Sequence, residues 1–157
     1  MTKELNEYRR QLVAQLEDAA ARFREACLAV KDPYASLGVG SWNVHQVAVH
    51  TRDVQMLVYG ARARRTAEEE NPEFPNFDSE TYLAEQYDRT ESLEKILNSL
   101  VENVRALAAM LRRLPPEAWA RESRHAIMGS GFTLQIWVER GLAHIEEHIE
   151  TVKNGKR

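Results

Sequence analysis

Two histidines four residues apart close the sequence "GLAHIEEHIE", residues 141–150. Four residues advance an α-helix by about 400°, so the imidazoles of His144 and His148 fall on one face, one turn apart. Trp137, Gly141 and Val152 share that face, whereas Glu139, Arg140, Glu146, Glu147 and Glu150 mostly occupy other sides. The pair therefore points towards an apolar surround. A glycine inside a helix costs about 1 kcal/mol relative to alanine, so Gly141 predicts a packing reason or space left beside the imidazoles.

A third histidine falls on an apolar face further up the chain. In "SWNVHQVAVHTRDVQML" His50 follows Val47 and precedes Val54 and Leu57 at helical spacing. His45, five residues earlier, is turned by about 500° and should face elsewhere. One inward histidine is usually a hydrogen-bonded core residue. Three need partners for their ring nitrogens, and no inward Asp or Glu is obvious on these faces. A shared divalent cation would satisfy His50, His144 and His148 together. Neutral imidazole suits zinc, nickel, copper or iron, and three protein ligands leave a position for water or substrate.

The same residues permit weaker readings. "HIEEH" matches the inverted zinc-peptidase pattern HxxEH with Glu147 as the base, but that chemistry needs a further ligand and an extended cleft. A di-iron carboxylate site needs paired ExxH motifs, and "ESRH" at 122–125 has no second copy. Around the histidines, Asp53 could orient the His50 ring, Arg140 could meet a substrate carboxylate and His125 could approach the pocket mouth. Trp42 and Trp137 read as core aromatics.

The elements that position these residues are helices. Proline and glycine cluster at "KDPYASLGVGSWN", "NPEFPNF", "RLPPEAW" and "IMGSGFT", and the intervals between them lack strand alternation. The first helix is expected from about Lys3 to Val30, with Leu12, Leu16, Ala19, Phe23 and Cys27 on its buried face. The second starts after Asn43, which with Gln46 can form a capping box. The third is expected as the longest, from about Ser79 to Leu114, with a stripe of Leu93, Leu97, Leu100, Val104, Leu107 and Leu111. The fourth runs from about Thr133 to Gly155. The fold class is all-α.

Composition narrows the setting. At 157 residues with 43% hydrophobic content, the chain is expected to form one domain over residues 1–157. Its 21 Lys and Arg against 24 Asp and Glu, net charge −3, offer no field for nucleic acid. A single cysteine, Cys27, excludes an intramolecular disulfide and a CxxC site. With no signal-like segment and no apolar stretch of membrane-spanning length, a cytoplasmic protein without a membrane partner is expected.

Trp42 opening the second helix, His50 eight residues later and the HxxxH pair His144 and His148 on the last helix resemble the DinB-like superfamily, and the likeness spans nearly the whole chain. It implies an up-down-down-up four-helix bundle, for which "EEENPEFPNFD" supplies the long crossover. It also implies a metal site at His50, His144 and His148, a homodimer and a small-molecule substrate. Two positions depart from the family pattern: Gln46 where glutamate is common, and Ile149 in place of a further histidine. The function so implied is a thiol-dependent S-transferase, in which a divalent metal, zinc or nickel, activates bacillithiol, mycothiol or glutathione. A metal-dependent hydrolase and a non-catalytic, metal-stabilised binding or stress-response module are the alternatives.

Overall fold

The computed structural model describes residues 2–38 and 41–155; Val39 and Gly40 of the first proline–glycine cluster lie outside the described residues. Helix α1, Lys3–Leu28, begins where Thr2 accepts a hydrogen bond from Leu5 N, and it ends two residues before the expected Val30. Its inward row of Leu12, Leu16, Ala19, Phe23 and Cys27 is fully buried or nearly so. Helix α2, Val44–Val54, starts on the expected capping box: Asn43 accepts from Gln46 N at 2.8 Å while Gln46 accepts from Asn43 N at 2.9 Å. A π-helical turn, Gln55–Tyr59, then leads without a break into α3, Gly60–Glu68.

The π turn changes the face that the second helix presents. Expected inward, Leu57 is 47% exposed, and Val58 is buried instead. The cause is the i→i+5 bond from Gly60 N to the Gln55 carbonyl, which takes one more residue per turn than an α-helix does.

The expected third helix is divided. A short helix α4, Ser79–Gln86, is followed by an irregular stretch and then by α5, Leu93–Arg113. Local side chains compete with the helix there: Asp88 accepts from Thr90 N at 2.9 Å, and Ser92 caps α5 by accepting from Lys95 N. The stripe predicted for α5 is otherwise correct. Leu97, Leu100, Val104, Leu107 and Leu111 are in the core and Leu93 packs against it. Helix α6, Leu134–Asn154, lies within the expected bounds of Thr133 and Gly155; Thr133 caps it by accepting from Ile136 N, and Gly155, with a φ of 68°, ends it in the left-handed region.

Contacts at the helix ends fix the direction of each helix. At the start of α1, Arg9 Nε donates to Gln135 Oε1 at 2.8 Å and Arg9 Nη1 to the Pro116 carbonyl at 3.1 Å, so α1 and α6 start together. At the start of α2, His45 bonds to Glu91, just ahead of α5. Past the end of α5, Arg121 donates to the Thr66 and Glu69 carbonyls at the end of α3, at 3.1 and 2.7 Å. The order is thus up-down-down-up, with α2–π–α3 and α5 parallel and α1 and α6 opposed to both. The crossover that this needs is residues 69–92, including α4.

Three short strands cap the end where α6 begins. Strand β1, Glu73–Phe74, pairs in parallel with β2, Glu122–His125, and β2 pairs antiparallel with β3, Gly129–Thr133. None was expected, because two to five residues are too few to show a period. Within β2, Ser123 and His125 point inward. The hairpin turns on Gly129 and Gly131, whose φ values of 93° and 88° are ones that only glycine adopts readily. No helix among the described residues is long and apolar enough to cross a membrane.

Candidate metal centre

The α2 capping box sets the phase of the helix that carries His50, and Trp42 packs on the ring at 4.9 Å between centroids. From α6, His144 and His148 come to meet it. His50 Nε2 and His148 Nε2 each lie 3.1 Å from His144 Nε2. Within the described residues these three form the one His/Cys/Asp/Glu cluster able to hold a metal ion, its ligand atoms all within 4.8 Å of one another. His50 and His148 are buried and His144 is intermediate in exposure.

The arrangement suits a cation. Zinc–nitrogen bonds of about 2.0–2.1 Å in a tetrahedral site separate the nitrogens by about 3.3 Å. Three neutral imidazoles with Nε2 lone pairs converging at such distances repel unless a positive centre or a proton lies between them. His144 does not hold that proton: burial first, and then His148 and His50, push its pKa down to about 2. Thr151 supports the third ring. Its hydroxyl donates to the Glu147 carbonyl at 3.2 Å, so at a long 3.4 Å the His148 Nδ1–H is the donor to Thr151 Oγ1, which leaves Nε2 as the lone-pair nitrogen. His144 Nδ1 has no hydrogen-bond partner among the described residues, and Tyr59 packs on that ring at 5.6 Å between centroids.

His45 does not face outward as expected. It is 0% exposed, and its ring lies 4.9 Å from that of Tyr34. Nε2 is 2.7 Å from the Glu91 carbonyl, which can only accept, so this nitrogen carries the proton; Nδ1 then accepts from the Tyr87 hydroxyl at 2.6 Å. Both nitrogens are taken up by the crossover, on a side of α2 away from the cluster. The rotation from His50 was right, but that side is covered by the segment ahead of α5.

The neighbouring expectations divide. Asp53, on the turn after His50, accepts from Arg52 Nε at 3.0 Å, and Arg52 also pairs with Glu91. The space expected beside Gly141 is filled: a Cβ there would stand 2.9 Å from Gln55 Oε1 and 3.2 Å from Tyr59 Cβ, so the glycine makes room for the π turn. Trp137 is fully buried, its Nε1 donating to Ser123 Oγ at 2.8 Å. His125 and Arg140 both reach the cavity in front of the imidazoles. His125 is on β2 rather than in a loop, and its Nδ1 accepts from Ile127 N and Met128 N, each at 3.1 Å.

Sequence reasoning missed Tyr59 and Arg62. At nine and twelve residues beyond His50 they should lie about 180° and 120° away around a regular helix. The π turn absorbs about one residue, which brings Arg62 to within about 20° of His50 and into the same cavity. Tyr59 lines it too, its phenol pKa raised by burial against the opposing effect of Arg140 and Arg62. The cavity has a volume of about 540 Å³, within the range of small-molecule sites. A helical period does not show a one-residue slip; the signal available was Gly60, where a Cβ would stand 2.7 Å from the Gln55 carbonyl oxygen that accepts the π bond.

Three comparisons bear on this arrangement. A family model describing the DinB superfamily matches residues 2–152. The solved structure of YfiT from Bacillus subtilis, described as a probable metal-dependent hydrolase with an unusual four-helix bundle topology, superposes with a TM-score of 0.87. The match covers 99% of this chain and 87% of that one at 23% identity. Among curated proteins no sequence matches.

Proposed function

We propose, given that this chain belongs to the DinB superfamily, that it is a metal-dependent enzyme whose divalent cation, zinc or nickel, is held by His50, His144 and His148. The observation that carries this reading is the convergence of three Nε2 atoms, two of them 3.1 Å from the third, at the wall of an open cavity. A cation bound there supplies Lewis acidity, lowering the pKa of a thiol or of water so that it acts as a nucleophile at neutral pH. The first assignment is transfer of a low-molecular-weight thiol: its proton goes to solvent, sulfur forms the new bond to the electrophilic carbon, and the displaced group departs with its electron pair. The chain's own share is to present the three Nε2 atoms and to enclose the electrophile in the cavity. Its one thiol, Cys27, is buried in the core and takes no part. Hydrolysis is the second assignment, favoured by the description of YfiT.

Elemental analysis of the purified protein should find about one divalent ion per chain, and none at stoichiometric level in His148→Ala, since two imidazoles make a weak site. Cobalt substitution followed by a panel of small thiols should produce sulfur-to-metal charge-transfer bands. Conjugation of an electrophile should depend on metal and on one preferred thiol. Full metal occupancy in His148→Ala refutes the centre, whereas bands absent with every thiol refute the transferase assignment and leave hydrolysis.

A further inference from the structure

The cavity in front of the three histidines carries a second group of side chains that the metal reading does not use. Arg62, Arg140, His125 and Tyr59 line it together. Arg62 is only 7% exposed. Its guanidinium lies over the Trp137 ring at 4.9 Å and the Phe74 ring at 5.6 Å, and it donates one Nη2–H to the Pro75 carbonyl at 2.8 Å. Arg140 lies over the Phe132 ring at 5.2 Å. Among the described residues neither makes an ion pair with a carboxylate, whereas Arg52, the other well-covered arginine of the second helix, has both Asp53 and Glu91.

Nearby groups act on this pair in both directions. The Arg62 pKa is lowered by burial first, raised by Tyr59 and lowered again by Arg140, and that of His125 is lowered by burial and then by Arg62 and Arg140. Holding a covered guanidinium beside a second cation is costly unless an anion completes the site. Stacking on aromatic faces fixes each guanidinium plane while leaving its edge N–H groups for a planar acceptor. Two arginines so placed suit a carboxylate, which accepts in a fork geometry. A dianion is less suited, because Glu80 and Glu147 also line the cavity.

We propose that Arg62 and Arg140 are the carboxylate-binding subsite of this cavity, so that the small molecule used by the three-histidine centre bears a carboxylate. The claim about the arginines stands by itself, and its link to a nucleophile or electrophile rests on the function proposed above. The π turn is what supplies this subsite, since only its extra residue brings Arg62 round to the face of His50.

The test uses two thiols of the same skeleton, N-acetylcysteine, which carries a carboxylate, and N-acetylcysteine amide, which does not, titrated into cobalt-loaded protein at a pH where both thiols are fully ionised and read by the charge-transfer band. The acid should bind at least about tenfold more tightly than the amide, as a charge-assisted fork to arginine provides. Arg140→Gln and Arg62→Gln should bring that ratio close to one while leaving the amide unchanged. Equal affinities in the unaltered protein, or a ratio kept in both variants, overturn the proposal. Because Arg62 packs on two aromatic rings, its variant can fail to fold; Arg140 is exposed, and Arg140→Gln decides the question by itself. A second measurement is independent of metal: acetate titrated into metal-free and zinc-loaded protein, followed by the NMR signals of the arginine Nε–H groups. Shifts at Arg62 and Arg140 support the subsite even if no thiol gives a band, in which case only the thiol assignment is lost. Absence of those shifts overturns it, and so does inorganic phosphate producing them at lower concentration than acetate.

Discussion

Replacing His45 by alanine should cost stability and leave the metal in place. The ring is 0% exposed and makes two short hydrogen bonds, 2.6 Å from the Tyr87 hydroxyl and 2.7 Å to the Glu91 carbonyl. Removing it leaves both partners short of a bond in a part-buried setting, at about 1–3 kcal/mol for each unsatisfied group. It also removes the face that packs on Tyr34, a loss partly recovered by collapse of the site. Allowing the Tyr87 hydroxyl to turn to water, the total is about 3–5 kcal/mol. For a chain of this length 1 kcal/mol corresponds to about 2–4 °C, so the melting temperature should fall by roughly 6–20 °C. Tyr87→Phe, which removes no ring but leaves the buried His45 Nδ1 without a donor, should cost about 1–3 kcal/mol. The assay is urea unfolding of the variants beside elemental analysis of the folded fraction. Metal loss from folded His45→Ala would place His45 in the ligand set, and a cost below about 1 kcal/mol would show that the crossover is not anchored through this ring.

Two further expectations follow from buried positions. Gly141→Ala should be destabilising although alanine is the better helix former: the new Cβ meets Gln55 Oε1 at 2.9 Å and Tyr59 Cβ at 3.2 Å, and overpacking of about 1–3 kcal/mol exceeds a propensity gain of about 1 kcal/mol. A higher urea midpoint for the variant would show that the π turn yields easily. The Cys27 thiol, its pKa pushed up from 9.0 to about 12 by burial, should resist alkylation at pH 8 in the folded protein and react at once in denaturant. As pH rises above 9.0 the unfolded thiol loses its proton first, so stability should decline from there towards 12, and Cys27→Ala should remove that part of the decline. Rapid alkylation of folded protein would contradict the buried position.

The elements were legible where local chemistry and a steady period agreed. Asn43 with Gln46, Thr133 and Gly155 mark helix ends by the bonds and backbone angles that their own residue types favour, and the structure has all of them in those roles. The leucine stripe of α5 and the row from Leu12 to Cys27 in α1 faced inward as their spacing required. The pairing of His144 with His148 was equally local, since four residues along one helix always bring two side chains together.

What depended on distant contacts could not be read from the chain. His45 and His50 were rightly assigned to different faces, but which faces are covered is set by packing, and the segment around Tyr87 and Glu91 covers the side that His45 was expected to leave open. The break between α4 and α5 was a contest between helix propensity and the Asp88 and Ser92 side chains, too closely balanced for composition to decide. The π turn is the clearest case. In "VQMLVYGAR" only Gly60 departs from helical composition, and a Cβ there would stand 2.7 Å from the Gln55 carbonyl oxygen that accepts the π bond; the one extra residue in that turn exposes Leu57, buries Val58 and carries Arg62 into the cavity of the three histidines. A sequence fixes the order of side chains around an ideal helix, whereas the rotation that aims them is settled by what packs alongside: here Gly141, whose missing Cβ leaves room for Gln55 and Tyr59.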